Sequence, residues 1–384
     1  MTTKQTSWSK LLPAFFAFIV MGFVDIMGVA IGYVKLDFGV SNVMAQFLST
    51  MVLLWFFVLS VPVGILQDKY GKKNMLMLGM VIQAVGLVLP FVSYSFEMMF
   101  ASFMLLGMGN TFIQVSANPL LQDVSPGDKL ASYMSTSQFV KAIVSMLGPI
   151  IAGKVMATMF GDWKLVLIVY GITSLIGALW LFATPIQESK PDRKPASFGS
   201  CFGLLKNPFI AFMALSIFLI VGAEVSTNTN ISNILISKFE ISIENAAYGI
   251  SAFFAGETIS RLIGAIILSK IKPRIFLLLT TLTSLLGVAG VFMAPSFYVA
   301  LVAIFIIGLG AGSMFPIIFS LALEKMPDRA NEISGLLIMA VSGGAFIPPL
   351  AGWTSDIISP VASIGVIGIC FLYILWVSFY VRKN

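Results

Sequence analysis

The chain has 384 residues, 58% of them hydrophobic and only 10% charged, whereas soluble domains carry about a quarter charged residues. That excludes an ordinary soluble globular protein. The net charge of +6 comes without a single histidine and with two cysteines, Cys201 and Cys370. The usual proton shuttle and the commonest metal ligand are therefore missing, and two cysteines make neither a disulfide framework nor a metal cluster. No metal or cofactor is expected. The basic residues sit in short loops, the distribution that orients a membrane protein rather than one that grips nucleic acid.

Apolar runs of about 20 residues recur along the chain, each long enough to cross a hydrocarbon core of about 30 Å. They predict helices over 12–34, 43–66, 74–93, 98–121, 131–157, 163–184, 209–236, 246–270, 274–294, 297–322, 332–353 and 362–381. The first run continues to about Val34 with no small-residue cleavage pattern, so it reads as a span and not as a signal peptide. The fold class is an all-α membrane protein with twelve transmembrane helices. An even count puts both termini on one side. If that side is cytoplasmic, its loops hold most of the 23 basic residues, among them Lys69, Lys72, Lys73, Lys190, Arg193, Lys194, Lys270, Lys272 and Arg274. The far side holds Lys35, Lys154, Lys164 and Lys238. This asymmetry predicts a multi-pass protein of the cell inner membrane with cytoplasmic termini. The polar stretch 185–208, rich in Pro, Ser, Gly and mixed charge, reads as a cytoplasmic linker between six-helix bundles over 1–184 and 209–384.

The two bundles repeat each other. Gly107 and Gly109 correspond to Gly308 and Gly310, and Pro126 to Pro327, at an offset of 201. Pro149 and Pro349, Gly153 and Gly352, and Asp25 and Glu224 fall at nearly the same offset. Two pseudo-symmetric six-helix bundles are how many secondary transporters are built, with the substrate site between the halves near the bilayer midplane.

The segment after the second helix, GILQDKYGKK, carries the spacing G-x-x-x-D-x-x-G-[RK]-[RK] at Gly64, Asp68, Gly71, Lys72 and Lys73. Gly71 permits the backbone angles of a tight two-helix turn. Asp68 can pair with cations or a helix N-terminus and latch one conformation. The equivalent loop, LSKIKPR from Leu268, lacks the aspartate. The GILQDKYGKK motif resembles the loop signature of the major facilitator superfamily. QVSANP (Gln114 to Pro119), VGAEVS (Val221 to Ser226) and SRLIG (Ser260 to Gly264), with Asp25 in the first helix, resemble the fucose–proton symporter family of that superfamily, which includes glucose and galactose carriers. The resemblance implies cation-coupled uptake of a monosaccharide or sugar derivative by alternating access, with proton or sodium as the coupling ion. It places Asp25 as the proton-binding aspartate and Gln138 as a sugar contact. Gln114 stands where the fucose carrier has a glutamate, and Lys141 where it has an uncharged polar residue.

Independently of that resemblance, an ionisable side chain at the bilayer centre costs at least about 2.5–3.5 kcal/mol and marks a functional or paired position. Asp25, Lys141, Glu224, Glu257 and Arg261 lie well inside predicted helices. Glu257 and Arg261 share a face at i, i+4 and are expected to pair, as a structural link or a gate. Asp25 and Glu224 are the ion-coupling candidates. For Asp25 the alternative is a standing salt bridge to Lys141. Lys141 can neutralise a carboxylate, bind an anionic group on the substrate, or replace a bound cation as a tethered charge. Two amide stripes, Asn110–Gln114–Asn118 and Glu224–Asn228–Ser232, offer donors and acceptors suited to sugar hydroxyls, with interhelical hydrogen bonding as the alternative. Pro119, Pro149, Gly343, Gly344, Pro348 and Pro349 can kink helices or act as hinges.

No G-x-x-x-x-G-K-[ST] motif is present, so ATP-driven pumping is not expected. The expected partners are a small sugar-like solute, a proton or sodium ion and the lipid bilayer, with the chain acting as a monomer. The rival readings are a multidrug or metabolite exporter of the same fold and a non-transporting membrane nutrient sensor. A membrane-embedded enzyme is disfavoured because no reactive constellation is present.

Overall fold

The computed structural model describes residues 8–40, 42–126, 129–157, 159–189, 196–241 and 243–383. Among the described residues there are no strands, and twelve helical spans follow one another. These are α1 (Trp8–Phe38), α2 (Asn42–Tyr70), α3 (Lys72–Val92), α4 (Phe96–Val124), α5 (Leu130–Ile150) and α6 (Leu165–Ala183). They continue with α7 (Pro208–Phe239), α8 (Ile243–Ile267), α9 (Pro273–Met293), α10 (Phe297–Lys325), α11 (Pro327–Ile357) and α12 (Pro360–Arg382). Eleven of the twelve, all but α5, are long and apolar enough to cross a membrane, and in α2 the qualifying stretch is Met51–Tyr70. In α8 the qualifying stretch is Tyr248–Ile267. α5 is diluted by Ser132, Ser135, Thr136, Ser137, Gln138, Lys141 and Ser145.

Helix ends follow local chemistry. Ser95 caps α4 by accepting from Met98 N, and Asn207 caps α7 by accepting from Phe209 N with Pro208 next in line. Gly71, at φ 84°, makes the turn between α2 and α3. Several spans are not continuous. α1 tightens to a 3₁₀ turn at Phe23–Ile26, α5 widens to a π-helical stretch at Ile151–Ala157, and α11 is split between Ala330–Ala340 and Gly343–Ile357. Pro119 does not interrupt α4, and Pro348 and Pro349 lie inside a helical segment. The break in α11 comes before them, where Gly343 brings the helix onto the Phe218 carbonyl of α7.

The chain forms two compact units. The first comprises Met1–Gly127, Val140–Gly203 and Met326–Met339; the second comprises Asp128–Phe139, Leu204–Lys325 and Ala340–Asn384. The start of α11 joins the first unit because it packs on α2. A Cβ on Gly64 would lie 2.7 Å from Asn331 O and 3.1 Å from Gly335 Cα. The start of α5 joins the second unit because Ser132 and Ser135 donate to the Ala265 and Arg261 carbonyls of α8, at 2.5 and 2.9 Å. The expected linker is not featureless: a short helix, Phe198–Gly203, lies within it. Lys190 to Pro195 lie outside the described residues.

The duplication is visible in the packing. A Cβ on Gly107 would stand 2.6 Å from Val52 Cα, and one on Gly308 would overlap the Phe253 carbonyl. Gly109 packs on Gly79 and Gln83 of α3, and Gly310 on Thr280 and Ser284 of α9. Each of these contacts recurs 201 residues later in the chain. In lipid, helices associate through such close backbone approaches, so both the glycines and the surfaces they meet are repeated.

Candidate functional site

In the first unit the decisive group is Asp25. It sits in the 3₁₀ turn of α1 and is exposed although it lies near the middle of a span of 31 residues. A short 3₁₀ stretch inside a helix marks strain or a hinge. Ser145 of α5 donates a hydrogen bond to Asp25 Oδ2; the same hydroxyl sits 3.0 Å from the Lys141 carbonyl, its alternative acceptor. Gly22, one turn before Asp25, lets α1 approach α5 here: a Cβ would lie 3.1 Å from Lys141 O. Tyr170 of α6 stacks on Phe23 at 3.9 Å and lies within electrostatic range of Asp25. Lys141 is half-buried, and among the described residues no ion pair joins it to Asp25. The standing salt bridge is thus not formed; a serine takes the place of the lysine.

The amide stripe of α4 is enclosed. Asn110 is 0% exposed, Asn118 1% and Gln114 8%. Asn110 donates to Met21 O at 2.8 Å and faces Gln83 Oε1 at 3.5 Å, while Gln83 donates to Val20 O at 2.9 Å. Gln114 donates to Asn110 Oδ1 at 2.8 Å, and Asn118 to Gln114 O at 3.0 Å. Of the three, Asn110 ties α4 to α1 and α3, whereas Gln114 and Asn118 bond within α4 itself.

In the second unit the α7 stripe behaves differently. Glu224, Asn228 and Ser232 are all half-buried, while Ser226, Thr227 and Asn230 on other faces are buried and bonded to or packed against the helix. Gln138 is 8% exposed. Glu257 and Arg261 pair at 3.5 Å, with Glu257 buried, and Arg261 Nε donates to Gly312 O at 3.3 Å.

The loop motif forms a network in the first unit. Asp68 accepts from Ala196 N at 2.8 Å and from Asn331 Nδ2 at 2.7 Å, at the start of α11. Lys72 Nζ is buried against Asp123 Oδ2 at 2.6 Å. Glu188 caps the N-terminus of α3, accepting from Lys72 N at 2.5 Å and Lys73 N at 3.0 Å. Lys73 Nζ donates to the Phe182 and Thr184 carbonyls at the end of α6, at 3.0 and 2.8 Å. Arg329 grips Glu332 with two hydrogen bonds, 2.8 and 2.7 Å, and reaches Ser200 O at 2.9 Å. At the opposite end of the helices, Tyr94 and Trp163 both donate to Asp37. Burial, and then the bond to Asp37, push the Tyr94 phenol above its ordinary pKa.

Sequence reasoning did not find Ser145, Asp123, Glu188 or Asn331. For Ser145 a signal existed: it follows Lys141 at i+4 and so shares its helix face.

Comparison with known proteins follows the same lines. The Major Facilitator Superfamily model matches residues 14–349. A glucose/galactose transporter of Brucella abortus is 24% identical over 100% of this chain and 97% of its own. The L-fucose-proton symporter of Haemophilus influenzae is 21% identical over 78% of this chain and 77% of its own. The crystal structure of the Escherichia coli fucose:proton symporter superimposes with a TM-score of 0.85 at 16% identity, covering 99% of this chain and 100% of that one.

Proposed function

Because the chain belongs to the Major Facilitator Superfamily, we propose that it is a secondary active transporter that takes up a monosaccharide or sugar derivative by alternating access, driven by a proton gradient. The observation that carries the coupling reading is Asp25: an exposed carboxylate near the middle of a span, held by a serine hydroxyl and not by a cation. An ionised group at that depth cannot face acyl chains, so its face of α1 is wet. Among the described residues the hydrogen-bond partner of Asp25 is a neutral hydroxyl, so no fixed cation occupies the place where a coupling ion would bind. Glu224 is a second coupling candidate, and Asn228 lies on the same half-buried face of α7. Of the candidate sugar-contact amides Asn228 is the most open, Gln114 and Gln138 are each 8% exposed, and Asn110 and Asn118 are enclosed in the packing of α4. The basic-loop distribution supports the cell inner membrane with both termini cytoplasmic. The sugar class rests on the names of the relatives.

The test is uptake of labelled neutral and acidic monosaccharides into proteoliposomes under separate proton and sodium gradients. Accumulation driven by the proton gradient is expected. Asp25→Asn is expected to abolish accumulation while preserving exchange of solute between the two sides. Undiminished accumulation by that variant would remove Asp25 from coupling.

A further inference from the structure

Lys141 places a cationic side chain in the middle of α5, half-buried, and among the described residues no carboxylate lies within ion-pair distance of it. Asp25 approaches α5 one turn further on and is engaged there by Ser145. Lys141 and Ser145 are spaced i, i+4 on α5 and so share a helix face, and it is from that face that Ser145 bonds Asp25, with no ion pair between Lys141 and Asp25 among the described residues.

The geometry points to a substrate class: we propose that Lys141 seats the carboxylate of the transported solute, and that the solute is a monosaccharide monoacid (a hexuronate or an aldonate) carried together with one proton. The proposal rests on the sugar-carrier reading above. Its logic is charge neutrality at the moment the site is closed off. With Asp25 ionised and the site empty, one carboxylate and one ammonium sum to zero. A proton on Asp25 leaves the lysine charge uncompensated, and a monoanionic solute restores zero. Proton alone leaves the site at plus one; solute alone leaves it at minus one. An uncompensated unit charge in the membrane disfavours occlusion by roughly 100-fold. Only the empty and the doubly loaded forms cross readily, which is the definition of obligatory symport.

The groups facing Asp25 are consistent with this count. α5 brings Ser145, with Lys141 one turn before it on the same helix face, and α6 brings Tyr170. The charged residues of α2 and α4 lie at the helix ends, at Asp68, Lys69, Glu97 and Asp123. A single cation matches a single carboxylate. A sugar phosphate would bring close to two negative charges and is better matched by the bidentate fork of an arginine. A neutral sugar would leave the protonated site charged.

The experiment uses the full chain in proteoliposomes, with glucuronate and gluconate against glucose, galactose and fucose, under a proton gradient with the membrane potential clamped. Glucuronate or gluconate is expected to accumulate at an initial rate that does not depend on the potential, because proton and anion cancel. Lys141→Gln is expected to weaken acid-sugar binding roughly 10–100-fold, the value of one charge-assisted hydrogen bond, while Lys141→Arg retains the preference for acids. Accumulation of neutral sugars with no uptake or competition by either acid would overturn the substrate assignment but keep the carrier. An acid-to-neutral ratio unchanged in Lys141→Gln, or a rate that rises with an inside-negative potential, would also overturn it. Transport of none of the five sugars would overturn the carrier reading itself. If Lys141→Gln does not fold, the wild-type ratio, its potential dependence and Lys141→Arg decide the matter.

Discussion

Removing Lys72 or Asp123 alone should damage the protein far more than removing both. Lys72 Nζ stands 2.6 Å from Asp123 Oδ2, and both side chains are about 95% buried, at 5% and 4% exposure. At an effective dielectric constant of about 20, Coulomb attraction at that separation is worth about 6 kcal/mol. Desolvation of the two ions costs several kcal/mol each, so the pair as a whole is near neutral against an apolar replacement. Lys72→Met takes the buried ammonium away from the Asp123 carboxylate, and Asp123→Leu takes the carboxylate away from the buried Lys72 ammonium. Each is expected to cost about 3–5 kcal/mol, read as a fall in the apparent melting temperature of detergent-solubilised protein. The double variant should recover to within about 1–2 kcal/mol of wild type. Single losses that simply add in the double variant would refute the buried-pair reasoning. Transport by the double variant then shows whether this motif lysine serves more than the join between the start of α3 and the end of α4.

The same cycle applies more weakly to Glu257 and Arg261, which are 3.5 Å apart with Arg261 one-fifth exposed. Glu257→Gln with Arg261→Gln should be milder than either change alone in the same melting assay, and additive losses would argue against the pair. Gly64→Val should force α2 away from α11, because its Cβ would already lie 2.7 Å from Asn331 O. Overpacking of this kind costs about 1–3 kcal/mol, read as lower thermal stability together with slowed solute exchange; wild-type values of both would show that the contact yields freely.

The spans were legible because a span needs only length and apolarity, and both are local. The ends were less so: α2 runs to Tyr70 and α4 to Val124, past the predicted ends at 66 and 121, because intrahelical hydrogen bonds continue through the polar residues that follow an apolar run. The repeat was legible from Gly107 and Gly308, since a close helix crossing tolerates little else. The i, i+4 pair of Glu257 and Arg261 was legible because one helix contains both partners. The partners of Asp25, Asp68 and Lys72 were not, because each comes from another helix or a loop, as Ser145, Asn331 and Asp123 do.

The sequence by itself determined that this chain spans a membrane as a duplicated helical bundle, and which ionisable groups lie at depth. Tertiary structure alone decided that Asp25 meets a serine, that Asn110 of the α4 amides ties its helix to α1 and α3, and that Glu224 and Asn228 are half-buried. The reason is physical. A residue's position along its helix is fixed by local periodicity, whereas the group it faces depends on the rotation and register of a neighbouring helix. In lipid no apolar-versus-polar contrast announces that rotation; close packing and individual hydrogen bonds set it.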